Sequence, residues 1–177
     1  MAKSKNIYKV PILKKDRIVV MSDSHAHYGV LKHSIDFLLP LGTKIYVAQD
    51  GEVIDVKDDS NKGGPEDKYN YAKFLNMITI KHRNNEYSEY SHIKYRGALV
   101  KVGQKVSIGE PIGLSGNTGY TTAPHLHFHV FKKTNTKIGW NTLEIRFDEP
   151  LKVKRKDSDF TKKDDKIIQK MSVYKSR

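Results

Sequence analysis

Between residues 6 and 131 the chain advances in short runs of Val, Ile, Leu, Phe and Tyr, broken by Gly, Asn, Asp and Pro before any run is long enough for an amphipathic helix. That rhythm predicts strands: Ile18 to Ser22, Ser34 to Phe37, Lys44 to Ala48, Glu52 to Lys57, Met77 to His82, Ser88 to His92, Lys105 to Ser107 and His125 to Phe131. The last is the plainest. Leu126, Phe128 and Val130 alternate with His125, His127 and His129, so one face of the strand enters a core and the other carries three imidazoles. A slip of one residue would exchange the two faces, which pins the register. The fold class expected is all-β: a compact antiparallel β-sheet domain of barrel or sandwich type.

Between the strands, Asp50-Gly51 reads as a hairpin turn. Asp58 to Lys73 is a long polar loop with Gly and Pro, a length typical of functional walls, and we expect it to flank a cleft. In VGQKVSIGEPIG the pairs Gly103/Gly109 and Val106/Ile112 are each six apart, a repeat of tight turn and inward apolar residue. Lipoyl and biotinyl carrier domains share that rhythm, but their Met-Lys-Met type of tip does not occur here. From Asp148 onward charges alternate with few apolar residues, as in a frayed tail or a marginal helix.

Composition narrows the chemistry. The 177 residues suffice for one domain with a real core, and none is cysteine. Disulfides, iron-sulfur sites, cysteine nucleophiles and Cys-ligated zinc therefore drop out, and any bound metal must sit on His and carboxylates. The net charge of +12 suggests a polyanionic partner until it is placed: +5 falls on residues 1–17 and +4 on 148–177, leaving +3 between them. No aromatic-basic motif accompanies it, which weighs against nucleic acid. The basic ends would instead contact an anionic envelope polymer or keep the chain soluble. The basic N-terminus has no apolar core of a secretion signal, and no run approaches a membrane span of about 18 residues.

All eight histidines fall between His25 and His129. Together HYGVLKHSIDF, PLGTKIYVAQDGEVIDV, YSHI, GQKVSIGEPIG and GNTGYTTAPHLHFHVF resemble the lysostaphin/LytM-type zinc metallopeptidases, which are peptidoglycan endopeptidases. The resemblance spans residues 24–131, framed by a basic segment (1–23) and a C-terminal extension with a charged tail (132–177). It implies a groove over one Zn2+ ion, with Asp36 and His127 as ligands and His92 and His125 as catalytic, non-ligand histidines. The family's usual first ligand would fall on Lys32, so the candidates are His27, in a His-x-Gly context, then His33 and His25; we expect His27.

The implied activity is hydrolysis of peptide bonds in peptidoglycan stem or cross-bridge peptides, in the cell envelope or outside the cell, with a cytoplasmic location left open by the missing signal. The alternative is an inactive LytM-like domain that binds cell wall or regulates another hydrolase. Outside the implied site, His129 either lines the cleft or is simply exposed, and His82 is expected to be structural. Tyr90, two residues before His92, either shares its cleft face or packs. The Asn117-Thr118-Gly119-Tyr120 turn either lines a substrate groove or only reverses the chain.

Overall fold

The computed structural model describes residues 2–14, 19–21 and 27–151, with no side-chain placement for 19–21. His25, both ends of the first predicted strand and the tail from residue 152 lie outside the described residues. Thirteen strands follow in order: β1 Val19–Met21, β2 Ile35–Leu38, β3 Lys44–Tyr46, β4 Gly51–Lys57, β5 Gly63–Gly64, β6 Met77–Lys81, β7 Tyr87–Ser91, β8 Ile93–Ala98, β9 Lys105–Val106, β10 Pro111–Ser115, β11 Gly119–Tyr120, β12 His125–Lys133 and β13 Trp140–Thr142. Helical structure among the described residues is limited to single 3-10 turns.

One antiparallel sheet runs β1-β2-β12-β7-β6-β4-β9, and β13 also pairs with β12. Strand β12 lies inside it. Residues 127–131 pair with β7 along one edge, while the other edge is shared by β2 (125–128) and β13 (131–133). A second sheet, β3-β10-β8, covers the core face of the first. Ile45, Ile93 and Ile112 from it join Ile78, Ile80, Tyr90, Leu126, Phe128 and Val130 in one buried cluster. The expected all-β, antiparallel architecture is what forms. Hydrophobic burial drives it, each such side chain contributing roughly 1.5–3 kcal/mol.

Both glycines of the predicted repeat adopt φ +84, and Val106 and Ile112 are buried, so the turn-then-inward pattern holds. Asp50-Gly51, by contrast, closes no hairpin. Strand β3 pairs with β10 and β4 pairs with β6 and β9, so Gly51 opens a strand instead. The true tight turn joins β6 to β7, where Asn84 (φ 61) and Asn85 (φ 53) take the left-handed conformation that Asn tolerates. Strands β8, β10 and β13 escaped the sequence pattern because Gly97, Gly113 and Pro111 interrupt the first two and the third is only three residues long.

Three apolar residues of the basic N-terminal segment belong to the core: Tyr8, Val10 and Ile12 are buried, and isolated bridges join Lys3 to Glu144 and Tyr8 to Phe147. Wholly buried Glu86 anchors this strap, accepting hydrogen bonds from the backbone N–H of Lys5 (2.5 Å) and Asn6 (3.1 Å) and from the Tyr8 hydroxyl (3.1 Å). Glu86→Ala leaves all three donors unpaired. Hydrogen bonds to a charged acceptor are worth roughly 1.5–3 kcal/mol each and are not additive, so an unfolding free energy lower by about 3 kcal/mol is expected in urea titration.

Candidate metal centre and cleft

Strand pairing builds the site. His127 of β12 lies directly opposite Asp36 of β2, so their side chains share one face of the sheet, away from Leu126 and Phe128. His27 arrives from the segment before the 3-10 turn at Gly29–Leu31. Its Nε2 lies 3.2 Å from Asp36 Oδ1 and 3.2 Å from His127 Nδ1, and the latter two atoms are 2.9 Å apart. All three residues are buried. His33 does not join them; its backbone N–H donates to the Thr142 hydroxyl at 3.3 Å.

A near-equilateral triangle cannot consist of three linear hydrogen bonds, since a neutral imidazole has one proton to offer and the carboxylate none. One ion at a common centre satisfies all three atoms. Four-coordinate zinc with bonds of 2.0–2.1 Å implies ligand–ligand edges of about 3.3 Å, close to the three distances here. Burial opposes ionisation of Asp36, yet the surrounding His125, His127 and His27 hold its carboxyl well below the usual range. The donor set of two imidazoles and one carboxylate therefore fits zinc.

His125 and His92 adjoin this triangle, their ring centroids 4.2 Å apart. The Nδ1–H of His125 donates to the Ala123 carbonyl at 2.8 Å, leaving Nε2 unprotonated and 3.8 Å from Asp36 Oδ1. The Nδ1–H of His92 donates to the Thr118 carbonyl at 2.7 Å, again leaving Nε2 as the lone-pair nitrogen. Burial lowers both basicities, reinforced for His92 by its neighbours His125 and His127 and opposed for His125 by Asp36. Both surroundings favour the neutral imidazole.

Strand β7 ends at Ser91, and His92, at φ 65, turns the chain from the first sheet into β8 of the second. Non-glycine residues rarely hold that conformation, and here neighbours fix it. Asn76 Nδ2 and the Thr118 hydroxyl both donate to the Ile93 carbonyl, at 3.2 and 3.0 Å. Because the strand breaks at His92, Tyr90 does not share its face; it is buried in the core, its hydroxyl accepting from Ala48 N–H at 2.9 Å.

His129 is only 2% exposed, so the simply exposed alternative fails. Its Nδ1 meets His127 Nε2 at 3.3 Å, and its ring stacks on Trp140. His82 is structural, held by the Asp50 carbonyl (2.9 Å) and the Ser88 hydroxyl (2.8 Å). The Asn117–Tyr120 turn does more than reverse the chain. Gly119 and Tyr120 pair in parallel with Gly63 and Gly64, where a Cβ on Gly63 would strike the Asn117 carbonyl, so the long loop is tied beside the site.

A cleft of about 330 Å³ opens over His92, His127 and His129. The predicted loop forms one wall through Tyr69 and Tyr71, joined by Leu75 and Tyr120; Leu31 and Trp140 form the other. Glu89 and Ser91 of β7 complete the floor. Glu89 and Trp140 were not among the sequence candidates. The only available signal for Glu89 was that it alternates with core residue Tyr90.

These features define a β-sheet domain in which, among the described residues, one group of three donors that could hold a metal lies at the floor of an aromatic cleft. The family model for peptidase family M23 matches residues 30–138, more than half the chain, and the chain belongs to that family. It is 38% identical over 151 residues to an uncharacterized metalloprotease of Buchnera aphidicola subsp. Baizongia pistaciae, covering 81% of this chain and 36% of that one. Against peptidoglycan DD-endopeptidase ShyA of Vibrio cholerae the identity is 35% over 127 residues, covering 69% of this chain and 26% of the relative. The chain thus spans little more than a third of the length of these curated relatives, or less. Among solved structures, a zinc containing peptidase from Vibrio cholerae superposes with a TM-score of 0.52 at 29% identity, covering 71% of this chain and 36% of that one.

Proposed function

We propose that the chain is a zinc-dependent endopeptidase acting on peptide bonds in peptidoglycan stem or cross-bridge peptides. The observation that carries this is the pairing of a metal-sized triangle, His27-Asp36-His127, with two histidines whose Nδ1 atoms are tied to carbonyls and whose Nε2 atoms are unprotonated. When bound, zinc supplies Lewis-acid polarisation of the scissile carbonyl and lowers the pKa of an attacking water toward neutrality. The protein's part is positioning and proton handling. Asp36, ionised, would offset the ion's charge, while His27 and His127 would supply imidazole donors.

His92 and His125 divide the remaining work. An unprotonated Nε2 accepts a proton from the attacking water, and the resulting imidazolium donates to the leaving amine or to the developing oxyanion. A module that only bound cell wall would give no reason for two buried imidazoles held in this tautomer beside a metal cluster. Peptidoglycan as the substrate is favoured by the curated relative named as a DD-endopeptidase, and it would place the enzyme in the cell envelope. No described helix is long and apolar enough to cross a membrane.

The test is release of new amino groups from purified peptidoglycan by the zinc-loaded protein. Release should stop when a chelator strips the metal and return when zinc is restored. Absence of release from folded, zinc-replete protein would refute the enzymatic reading.

A further inference from the structure

The cleft carries one formal charge outside the metal cluster. Of the described residues lining it, Glu89 is the only Asp, Glu, Lys or Arg, and the rest of the lining is largely aromatic and aliphatic. This is notable in a chain whose net charge is +12. Glu89 lies opposite His129 across the β7–β12 ladder, two residues from Ser91, which lies opposite His127. By the strand rise it sits about 7 Å along the floor from the metal-facing row, roughly one substrate residue away.

Its carboxylate is built in. The Ser91 hydroxyl donates to Oε1 at 2.6 Å, fixing the side chain, and Oε2 accepts no hydrogen bond from any described residue. Burial disfavours a lone charge here, and no Lys or Arg among the described residues lines the cleft to offset it. The same cleft is lined by Leu31 and Trp140 on one wall and Tyr71 on the other. A ligand matching this sequence of surfaces has an apolar stem several methylenes long and a terminal cation: the stem lies against Leu31 and the rings, and the cation reaches Glu89 with the aromatic faces alongside.

We propose that the cleft is a subsite for the ammonium-bearing side chain of a diamino acid residue next to the scissile bond, with Glu89 as its specificity-determining residue. The proposal rests on the cleft being the substrate site of a peptidase. It deepens that reading by naming which peptides are chosen. A peptide lacking the side-chain amine covers the half-buried Glu89 carboxylate without pairing it, so discrimination arises from a penalty on the wrong ligand as well as a gain on the right one.

Trp140 is the only tryptophan of the chain and lines the cleft, so its fluorescence reports occupancy whether or not a bond is cut. Zinc-loaded protein would be titrated with three blocked peptides identical except for one residue: lysine, Nε-acetyl-lysine or norleucine. The lysine peptide is expected to bind about 10- to 100-fold more tightly than the other two. In Glu89→Gln, which keeps the shape and can still accept from Ser91, that preference should vanish, with lysine binding weakened and norleucine binding tightened as the unpaired carboxylate is removed.

Equal binding of lysine and norleucine peptides to the wild type would overturn the proposal. So would no binding of the lysine peptide, or a preference that survives in Glu89→Gln. Amine release from peptidoglycan is scored separately. Cleavage without amine preference defeats the subsite alone, whereas preferential binding without any cleavage defeats the peptidase reading and leaves the ammonium pocket standing.

Discussion

Alanine at Asp36 or His127 is expected to abolish stoichiometric zinc binding and, with it, hydrolysis. The two residues face each other across β2 and β12 and contribute two of the three donor atoms of the triangle. Removing one leaves two ligands and a water-filled gap, too few for a catalytic zinc site, which takes three protein donors and an open position. Asp36→Asn is the sharper version. It keeps the size and one acceptor oxygen but deletes the charge that His125, His127 and His27 stabilise. Metal content by atomic absorption should fall below a tenth of an equivalent in all three variants, with circular dichroism unchanged. His27→Ala should behave the same way and His33→Ala like wild type, because His33 points its backbone toward Thr142 and takes no part in the cluster. Full zinc occupancy in Asp36→Ala would mean that the triangle is not the metal centre.

Alanine at His92 or His125 should give the opposite pair of readings: zinc retained, turnover lost. Neither ring belongs to the triangle, yet both place an unprotonated Nε2 beside it through an Nδ1 anchored on a carbonyl. Loss of a positioned acid or base costs roughly 10²- to 10⁴-fold, so kcat should fall by that much with metal content unaltered. The double variant should fall little further than the worse single one, because residues that work on one proton path are not additive. Zinc loss in His125→Ala would move that residue into the coordination sphere, and near-normal turnover in His92→Ala would remove it from the mechanism.

How much of this was legible follows from where each signal resides. The alternation in β12 is a local property, so the sequence reveals which face of that strand carries imidazoles and which packs. The turns at Gly103 and Gly109 are equally local, and they form as read. Asp36 and His27 stood out through motif context, and their meeting with His127 depends on a cross-strand register that no window of sequence contains. His92 was visible as a residue at a strand's end. Its left-handed corner was not, because nothing in YSHI differs from ordinary alternation and the conformation is imposed by Asn76 and Thr118 from elsewhere. Period two offers Tyr90 either the cleft face of His92 or a packed position, and the packed one holds because the period stops at Ser91. Glu89 and Trp140 come to line one cleft only through the pairing of β7 and β13 to β12, which no local pattern contains.

Strand β12 is laddered along both edges, and its inward residues Leu126, Phe128 and Val130 are wholly buried. None of those contacts involves the metal-binding atoms. The conformational entropy of holding Asp36 and His127 face to face is therefore met by sheet formation and hydrophobic burial, before any ion arrives. In small zinc-dependent modules the ion's binding energy is consumed in folding the chain. Here it should be available as affinity, and the scaffold is expected to keep its sheet through cycles of metal loss and reloading, which circular dichroism before and after chelation would check.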